Sequence, residues 1–469
     1  MTDILLGLAS LGLVTLIGYL ALLTLDQHRL LGSVERLALG YGAGVGLLVW
    51  EMLVFQALGF SFGVPALLGS LLGISALVFL VVMPRRSRDR SPEAIPRLAA
   101  AHLQPLEWFF VAALVLETSS VFFSASFRPM EAYDAVSNWG LKGKAIWLAG
   151  NIPTSFLQNP NYEVFHPDYP LLVPLLESYV YRFAGGLREG SAKLMFPLFL
   201  AGCAVTLFAA LRRTGQTRRS CLLFSFLLIS IPYFSEHATN GYADVILGFY
   251  FCAGTLYLYF WQITGETLFL VLSTLFAGFA ALTKNEGLLL VGIYLIWITA
   301  LLLWRTDVPF RNRIATLGIS CCLLAALLMP WYLFKASLGL RNDVINSEAI
   351  KAGLKWSGIS RLGPILYHFQ TQVFGPKNWN LVWILFAAAV CLRQKVLLRT
   401  PAVSVLLATA AVLIAYVGVY LITPYSVAPF DVTWHLRTSA SRLLLHVLPQ
   451  VVFLIGLAFG EVEDRDLDV

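Results

Sequence analysis

Long apolar runs separated by short polar segments make up most of the chain. An α-helix needs about 20 apolar residues to cross the hydrocarbon core of a bilayer. The pattern therefore predicts an all-α, polytopic transmembrane bundle of about 13 spans. The apolar windows fall near residues 4–25, 37–60, 62–83, 106–126, 190–211, 220–235, 242–262, 266–283, 287–304, 313–333, 378–393, 400–422 and 442–460.

The composition excludes a soluble globular protein. Of the 469 residues, 58% are hydrophobic and only 13% are charged, and the mean hydropathy is +0.74. The first run stays apolar for a spanning length, so it is interpreted as a retained helix and not as a signal peptide. All six cysteines lie in apolar runs, which indicates neither a disulfide framework nor a metal cluster.

Arginine-rich loops predict the orientation in the membrane. The basic loops are PRRSRDR (84–90), RRTGQTRR (212–219), WRTDVPFRNR (304–313) and RQKVLLR (393–399), whereas EHATNGYAD (236–244) holds no Lys or Arg. Because short cytoplasmic loops carry the excess of Lys and Arg, the basic set is expected inside. We therefore expect a multi-pass protein with its N-terminus outside and its C-terminus in the cytoplasm. The absence of long luminal domains favours a bacterial inner membrane over the endoplasmic reticulum.

This topology divides the chain into three regions. Residues 1–83 hold three N-terminal helices, 84–105 form a basic cytoplasmic linker, and 106–469 form the larger membrane module. Three long segments are then periplasmic: 127–189, 334–377 and 423–441. The window 170–184 is too short to span and contains Glu177 and Arg182, so it is predicted to be an interfacial helix in the first of these segments.

The stretch MEAYDAVSNWGLKGKAIW (130–147) concentrates polar chemistry directly after an apolar run. Helical spacing places Glu131, Asp134, Asn138 and Lys142 near one face, which predicts an amphipathic helix at the membrane surface. Asp134 is the first candidate for a general base and Glu131 the second. The alternative is an ordinary interfacial helix with solvated charges. Lys142 and Lys144 are expected only to hold the helix at the interface.

The order of these features resembles the GT-C glycosyltransferases. It combines a carboxylate after a span, an amphipathic helix that closes with Ala-Gly-Asn (149–151), the segment HPDYPLLVPLLE (166–177) and a second span. Within that superfamily, the order is most similar to the protein O-mannosyltransferase and aminoarabinose-transferase group over about 106–460. Each motif is loose, and their order is the more specific signal. Two features depart from the group: the usual Asp-Glu pair is absent, and three helices precede the module.

The resemblance implies a GT-C-like fold and an inverting transfer of a sugar. The donor would be a polyprenyl-phosphate-linked sugar, and the acceptor a lipid, glycan or protein on the periplasmic side. Such a reaction needs a base on the acceptor and cations on the departing phosphate. The candidate donor-phosphate ligands are Lys284 in ALTKNEGLLL, and Arg437 and Arg442 in HLRTSASRLLLHVLP. The alternatives are a charge that marks a turn for Lys284 and an interfacial arginine for Arg442.

Other polar residues are candidates for the vicinity of the substrate or a metal. His166 and Asp168 precede the helix predicted at 170–184, and His237 and Asp244 lie in EHATNGYAD. Asp244 could support a divalent cation, Mg²⁺ or Mn²⁺, together with Asp134, or it could simply cap a helix. A basic, aromatic segment at 334–377 could cover the site and hold an anionic acceptor. Its polar and aromatic residues are Lys335, Arg341, Lys351, Lys355, Trp356, Arg361, Tyr367 and His368.

Two other functions remain open at this point. A transporter or flippase for a lipid-linked or glycan substrate predicts buried charges within spans and paired helix breaks. A non-catalytic relative of the glycosyltransferases is consistent with the missing Asp-Glu pair. The sequence identifies neither the sugar, nor the acceptor, nor the length of the carrier.

Overall fold

The computed structural model describes residues 2–82, 102–304, 308–342, 350–351, 359–399, 401–423 and 431–463. Apart from one isolated bridge between Gln216 and Val462, the regular elements of these residues are helices, which confirms the predicted all-α class. Most of the linker predicted at 84–105 lies outside the described residues. So do Lys355 and Trp356, residues 424–430, and the end of the acidic tail.

Twenty-two α-helices, numbered here in chain order, are described together with one π-helix and one 3₁₀ helix. The N-terminal helices are α1 (Thr2–Leu25), α2 (Ser33–Leu58) and α3 (Val64–Val82). Next come α4 (Pro105–Phe127), the π-helix (Ala135–Gly140), α5 (Leu141–Ala149), α6 (Thr154–Leu157), the 3₁₀ helix (Pro160–Phe165), α7 (Leu172–Phe183) and α8 (Glu189–Lys193). The central helices are α9 (Met195–Arg213), α10 (Arg218–Ile229), α11 (Pro232–His237), α12 (Asp244–Thr264), α13 (Thr267–Thr283), α14 (Gly287–Trp304) and α15 (Phe310–Ser337). The C-terminal helices are α16 (Leu362–Val373), α17 (Pro376–Trp379), α18 (Val382–Leu392), α19 (Gln394–Leu397), α20 (Ala402–Ile422), α21 (Val432–Leu445) and α22 (Leu448–Phe459).

Eight helices in the described part of the chain are long and apolar enough to cross a membrane, or nine if the bent pair α21 and α22 counts as one span. The protein is therefore a multi-pass membrane protein. The 13 apolar windows do not all hold full-length helices: the windows at 220–235 and 378–393 contain α10 and α18, with 12 and 11 residues. Their helices are shorter because polar or turn-forming residues interrupt each window.

Glycines set the closest helix packing, between α1 and α2. A Cβ atom added at Gly44 would overlap the Val14 carbonyl oxygen, and one added at Gly18 would overlap the Gly40 carbonyl oxygen. Small residues spaced four apart let two membrane helices bring their backbones together. The first two helices therefore form a tight pair against which the central helices pack.

Ion pairs gather at one end of the bundle, called here the Arg-rich end. Arg213 binds Glu35 beside the start of α2, Arg218 binds Glu107 at 2.6 Å beside the start of α4, and Arg219 binds Glu461 after α22. The Tyr257 hydroxyl on α12 also donates to Glu35. Thirteen residues of α12 separate Tyr257 from Asp244, about 20 Å of helix, so Asp244 lies near the opposite end.

The helix predicted at 170–184 forms as α7, but it does not lie on the surface of the protein. Its first ten residues are buried, and it packs against α5, α8, α1 and α2. Its charged residues point at neighbouring helices: the Arg182 guanidinium donates to the carbonyl oxygens of Ile146 and Trp147 on α5. The apolar side chains that suggested a helix at the membrane surface pack against other helices of the protein instead.

Candidate functional site

A buried carboxylate at the start of α12 is the centre of the polar network opposite the Arg-rich end. Asp244 has no exposed surface. Its Oδ1 accepts from Lys284 Nζ at 2.9 Å and lies 2.9 Å from His446 Nε2, and its Oδ2 accepts from Arg442 Nε at 3.0 Å. Because a buried charge is costly unless paired and hydrogen-bonded, these contacts stabilise a carboxylate that burial alone would neutralise.

Three helix ends bring these partners together. Lys284 directly follows α13, and Glu286, two residues on, holds the same ammonium at 3.0 Å. Arg442 lies in the last turn of α21, and His446 lies at the break where α21 and α22 bend by 49°. The predicted outer segment 423–441 is thus partly helical. The arginine expected to enter a continuous span belongs instead to a helix that ends at the network.

Arg442 joins Asp244 to Asp134. Its Nη1 lies 2.5 Å from Asp134 Oδ2, and its guanidinium carbon lies 4.4 Å from the centre of the Tyr242 ring. Asp134 stands immediately before the π-helix, and its side chain is 19% exposed, whereas that of Asp244 is fully buried. Of these two carboxylates, Asp134 is therefore the one that a molecule from outside could meet.

Lys142 on α5 lies beside this network and is buried. Its ammonium donates to the His166 carbonyl oxygen at 2.7 Å and lies 5.7 Å from the Trp139 ring centre and 5.8 Å from that of Tyr169. Burial lowers the pKa of Lys142 from 10.5 to about 7, although Asp168 and Asp134 favour its charged form. The expectation that Lys142 merely holds a surface helix was wrong, because the helix packs this face inward.

A second cluster surrounds Asp168, which is also buried. Its Oδ2 accepts from Asn285 Nδ2 at 2.8 Å, from Lys335 Nζ at 3.3 Å and from Asn342 Nδ2 at 3.1 Å. Asn285 lies between Lys284 and Glu286 in sequence. The loop after α13 therefore contacts both carboxylate clusters and couples their positions.

His237 lies near the first network among aromatic rings. Its ring centre is 4.2 Å from that of Tyr233 and 5.4 Å from that of Tyr242, and its Nδ1 lies 2.9 Å from the Tyr233 carbonyl oxygen. Burial lowers the pKa of His237 to about 4, so the imidazole is neutral at physiological pH. It is not one of the cations around Asp244.

The structure thus brings Asp134, Asp244, Lys284 and Arg442 into one network, but not every candidate joins it. Lys284 is buried and bound to carboxylates, not placed at a membrane surface as expected. Glu131 and Arg437 are both exposed, and the described contacts connect neither to Asp244. His166 contributes its backbone carbonyl to Lys142, in a left-handed conformation with φ of 48°.

Sequence reasoning missed His446 and misjudged Lys142. Both are polar residues within or beside apolar runs, and an ionisable residue in such a position is a functional hypothesis by default. That signal could have identified His446 from the run LLLHVLP. Its long-range pairing with Asp244 could not be deduced without the fold.

No group of three or more potential metal ligands among His, Cys, Asp and Glu occurs in the part of the chain that the structure describes. The Arg442 guanidinium lies between Asp134 and Asp244, the two carboxylates expected to share a divalent cation. A cation bound jointly by both would therefore have to displace this guanidinium. Binding of Mg²⁺ or Mn²⁺ at this site remains a prediction.

Comparisons of the chain with protein-family models, with curated proteins and with solved structures find no match.

Proposed function

We propose that this protein is an inverting membrane glycosyltransferase of GT-C type. It would move a sugar from a polyprenyl-phosphate donor to a lipid, glycan or protein acceptor at the periplasmic face of a bacterial inner membrane. The observation that carries the proposal is the contact between Asp134 and Arg442 at the rim of a buried ion network. A partly exposed carboxylate and a fixed cation are the two groups that this chemistry needs side by side.

In the proposed reaction, the Asp134 carboxylate accepts the proton of the acceptor hydroxyl. The acceptor oxygen attacks the anomeric carbon from the face opposite the phosphate, and the bond between that carbon and the phosphate oxygen breaks with its electron pair. Negative charge builds on the departing polyprenyl phosphate, which cations at the site stabilise. The acceptor gains the sugar with inverted configuration, and the carrier leaves as its phosphate.

Asp244 acts as a positioning residue in this proposal. Both of its oxygens are already bound, Oδ1 by Lys284 and His446 and Oδ2 by Arg442, so it holds these groups in place and does not bind the substrate. Fixed charges cost no reorganisation when charge develops in a transition state. The buried network therefore supports the rim pair and does not itself carry chemistry.

Asp134→Asn tests the proposal. The substitution keeps the shape and removes the base, so sugar transfer from a polyprenyl-phosphate donor by purified protein should fall about 100-fold or more, the usual contribution of general base catalysis. Glu131→Gln is the matched control three residues away, and its exposed side chain should be dispensable. Normal transfer by Asp134→Asn would exclude Asp134 as the base.

The donor and acceptor would be identified by mass spectrometry of the lipid that copurifies and of the glycans lost on deletion. Copurification of bulk phospholipid alone, with no glycan changed, would contradict the glycosyltransferase function.

A transporter or flippase is the second candidate, because the bent pair α21 and α22 places Arg442 and His446 against the buried Asp244 at a helix break. Such half-helix breaks bind substrates in secondary transporters, where they usually occur in pairs. The described residues contain one such pair of bent helices. Movement of a lipid-linked sugar across the membrane of vesicles that contain the protein, without sugar transfer, would favour this candidate. Sugar transfer without such movement would exclude it.

A further inference from the structure

Lys142 differs from the other cations of the site in how it is held. Arg442 contacts Asp134 and Asp244, Lys284 contacts Asp244 and Glu286, and Lys335 contacts Asp168. Lys142, with 1% of its surface exposed, forms no salt bridge within the described residues. Its described contacts are the carbonyl oxygen of His166 and two aromatic rings.

The segment that carries Lys142 also buries two polar atoms without a partner. Asn138 Oδ1 and Trp139 Nε1 are inaccessible and make no hydrogen bond to the described part of the chain. Asn138 and Trp139 lie in the π-helix that runs into α5, and π-turns are frequent at functional sites. Since buried polar atoms are normally satisfied, the Trp139 N–H indicates a place where an acceptor from another molecule, such as a phosphate oxygen, completes the hydrogen bonding.

We infer that Lys142 is a second cation that receives the phosphate of the substrate, in addition to Arg442, and that it takes up a proton as the phosphate binds. The inference rests on the proposed function for the identity of the ligand, a prenyl phosphate. The sequence-based expectation named Lys284, Arg437 and Arg442 as the phosphate ligands and did not include Lys142. Of these three, Lys284 is held by two carboxylates and Arg437 is exposed on α21.

The charged groups around Lys142 are already compensated. Asp134 and Asp168 are the carboxylates whose charge acts on its ammonium, and they are paired with Arg442 and Lys335. Burial therefore governs its proton affinity.

The helices packed against α5 add few charges of their own. On α7, Glu177 lies against Gly143 and Arg182 donates to backbone carbonyls of α5. Burial raises the pKa of Glu177 to about 8, so this carboxyl is mostly neutral at pH 7. Lys144 is paired with Glu189 at 2.6 Å. His166 and Tyr169, from the segment before α7, are the further titratable residues with described contacts to Lys142.

Proton uptake follows from this arrangement. Before a phosphate binds, burial keeps the Lys142 amine mostly neutral at pH 8, because its pKa is about 7. A phosphate beside the amine favours the ammonium, and a group whose proton affinity differs between two states couples their equilibrium to pH. At pH 8 a phosphate monoester is already doubly charged, since its second pKa is about 6, so the proton comes from solvent to the lysine.

The test is calorimetric titration of the full-length protein, in phosphatidylcholine nanodiscs at pH 8, with farnesyl phosphate in buffers of different ionisation enthalpy. We expect uptake of close to one proton per bound ligand. Farnesol, which lacks the phosphate, should cause no uptake. Titration with inorganic phosphate, and with nanodiscs containing phosphatidylglycerol, distinguishes a prenyl phosphate from a free phosphate or a lipid headgroup.

Two variants of Lys142 and one control complete the design. Lys142→Met should weaken farnesyl phosphate binding about tenfold or more, through loss of one charge-assisted contact. Lys142→Arg, permanently charged, should bind without proton uptake. Lys144→Met, two residues along α5 and paired at the surface, should bind and take up protons as the wild type does. Thermal unfolding of each variant identifies any that fails to fold.

Binding by the wild type without proton uptake, or unchanged binding by Lys142→Met, would overturn the inference, as would no binding at all. Its failure is distinguishable from that of the proposed function. If the wild type transfers sugar and the Lys142→Met variant binds farnesyl phosphate normally, only the inferred role of Lys142 is contradicted. Proton-coupled binding without any sugar transfer would contradict the glycosyltransferase alone.

Discussion

The Asp244 carboxylate has no exposed surface, and nitrogen atoms of Lys284, Arg442 and His446 lie around it. A carboxylate with this many partners is a structural requirement of the site as well as an electrostatic one. Removing one partner of a buried ion pair leaves the other charge uncompensated, which costs more than the pair contributed. Among the network residues, loss of the charge of Asp244 should therefore destabilise the protein most.

We predict that Asp244→Asn lowers the free energy of unfolding by about 3–5 kcal/mol, the usual cost of breaking a buried ion pair. The measurement is thermal or denaturant unfolding of the purified protein in detergent. Glu236→Gln is the matched control, because this carboxylate on α11 is exposed and its change should stay within about 0.5 kcal/mol. Equal stability of the two variants would show that the network contributes nothing to folding.

The sequence predicted which individual residues belong to the ion network better than it predicted the contacts between them. Asp134, Asp244, Lys284 and Arg442 were candidates because each is a charge beside an apolar run, a signal that is local. The Arg442 guanidinium joins Asp134 to Asp244, and both carboxylates lie far from it in the sequence, Asp244 by 198 positions and Asp134 by more. Such long-range contacts cannot be deduced from a local pattern. Glu131 and Arg437 carry the same local signal and lie exposed, so charge beside an apolar run does not by itself distinguish network residues.

The pairing of α5 with α7 is the feature of individual elements that most affects the site. Gly143 on α5 leaves no room for a side chain, because an added Cβ would overlap the Glu177 carboxylate. Both oxygens of that carboxylate are buried and make no hydrogen bond within the described residues. Burial raises the pKa of Glu177 from 4.5 to about 8. The close fit therefore requires a neutral carboxyl.

We predict that the contribution of Glu177 to stability falls as the pH rises from about 4.5 to 8, since the folded protein holds a proton on Glu177 that the unfolded chain releases. Lys142, above about pH 7, and His237, between about 4 and 6.5, give the opposite slope. Glu177→Gln stays neutral, so the difference between its pH dependence and that of the wild type, measured in pH-resolved unfolding experiments, isolates Glu177. Glu236→Gln, exposed on α11, is the control and should retain the wild-type slope.

Apolar periodicity located most elements, but it could not separate a helix that meets lipid from one that meets protein. The helix predicted at 170–184 formed within one or two residues of its expected bounds, yet it is buried. The stretch at 130–147 formed a helical segment as expected. Its first turns are a π-helix, and the wider turn alters the phase of the side chains, so Lys142 faces the interior and not the solvent.

Across the whole molecule, the basic loop at 212–219 and the polar network lie at opposite ends of the bundle. Arg219 is next to Glu461 after α22, whereas Arg188 is next to Asp3 at the start of α1. Helix α9, 19 residues long, separates the two positions. The predicted orientation places Arg219 in the cytoplasm and Arg188 in the periplasm.

We predict that cysteine at position 188, introduced as Arg188→Cys, reacts with a membrane-impermeant maleimide in intact cells. Arg219→Cys should react only after the membrane is permeabilised. Both arginines are about half exposed and form surface ion pairs, which contribute little to stability, so the two variants are matched. The experiment needs a background without the native cysteines. The reverse labelling pattern would invert the topology and move the proposed reaction to the cytoplasm.

The bent pair α21 and α22 also has a consequence for biosynthesis. Asp244 is synthesised about 200 residues before Arg442 and His446, so it enters the membrane with Lys284 as its nearest future partner. Until the last helices emerge from the ribosome, the carboxylate has to remain hydrated, protonated or shielded by the insertion machinery. The ion network is then completed only when the chain is complete. Insertion of the final two helices is the step that brings Arg442 and His446 to Asp244 and so fixes the positions of the central helices.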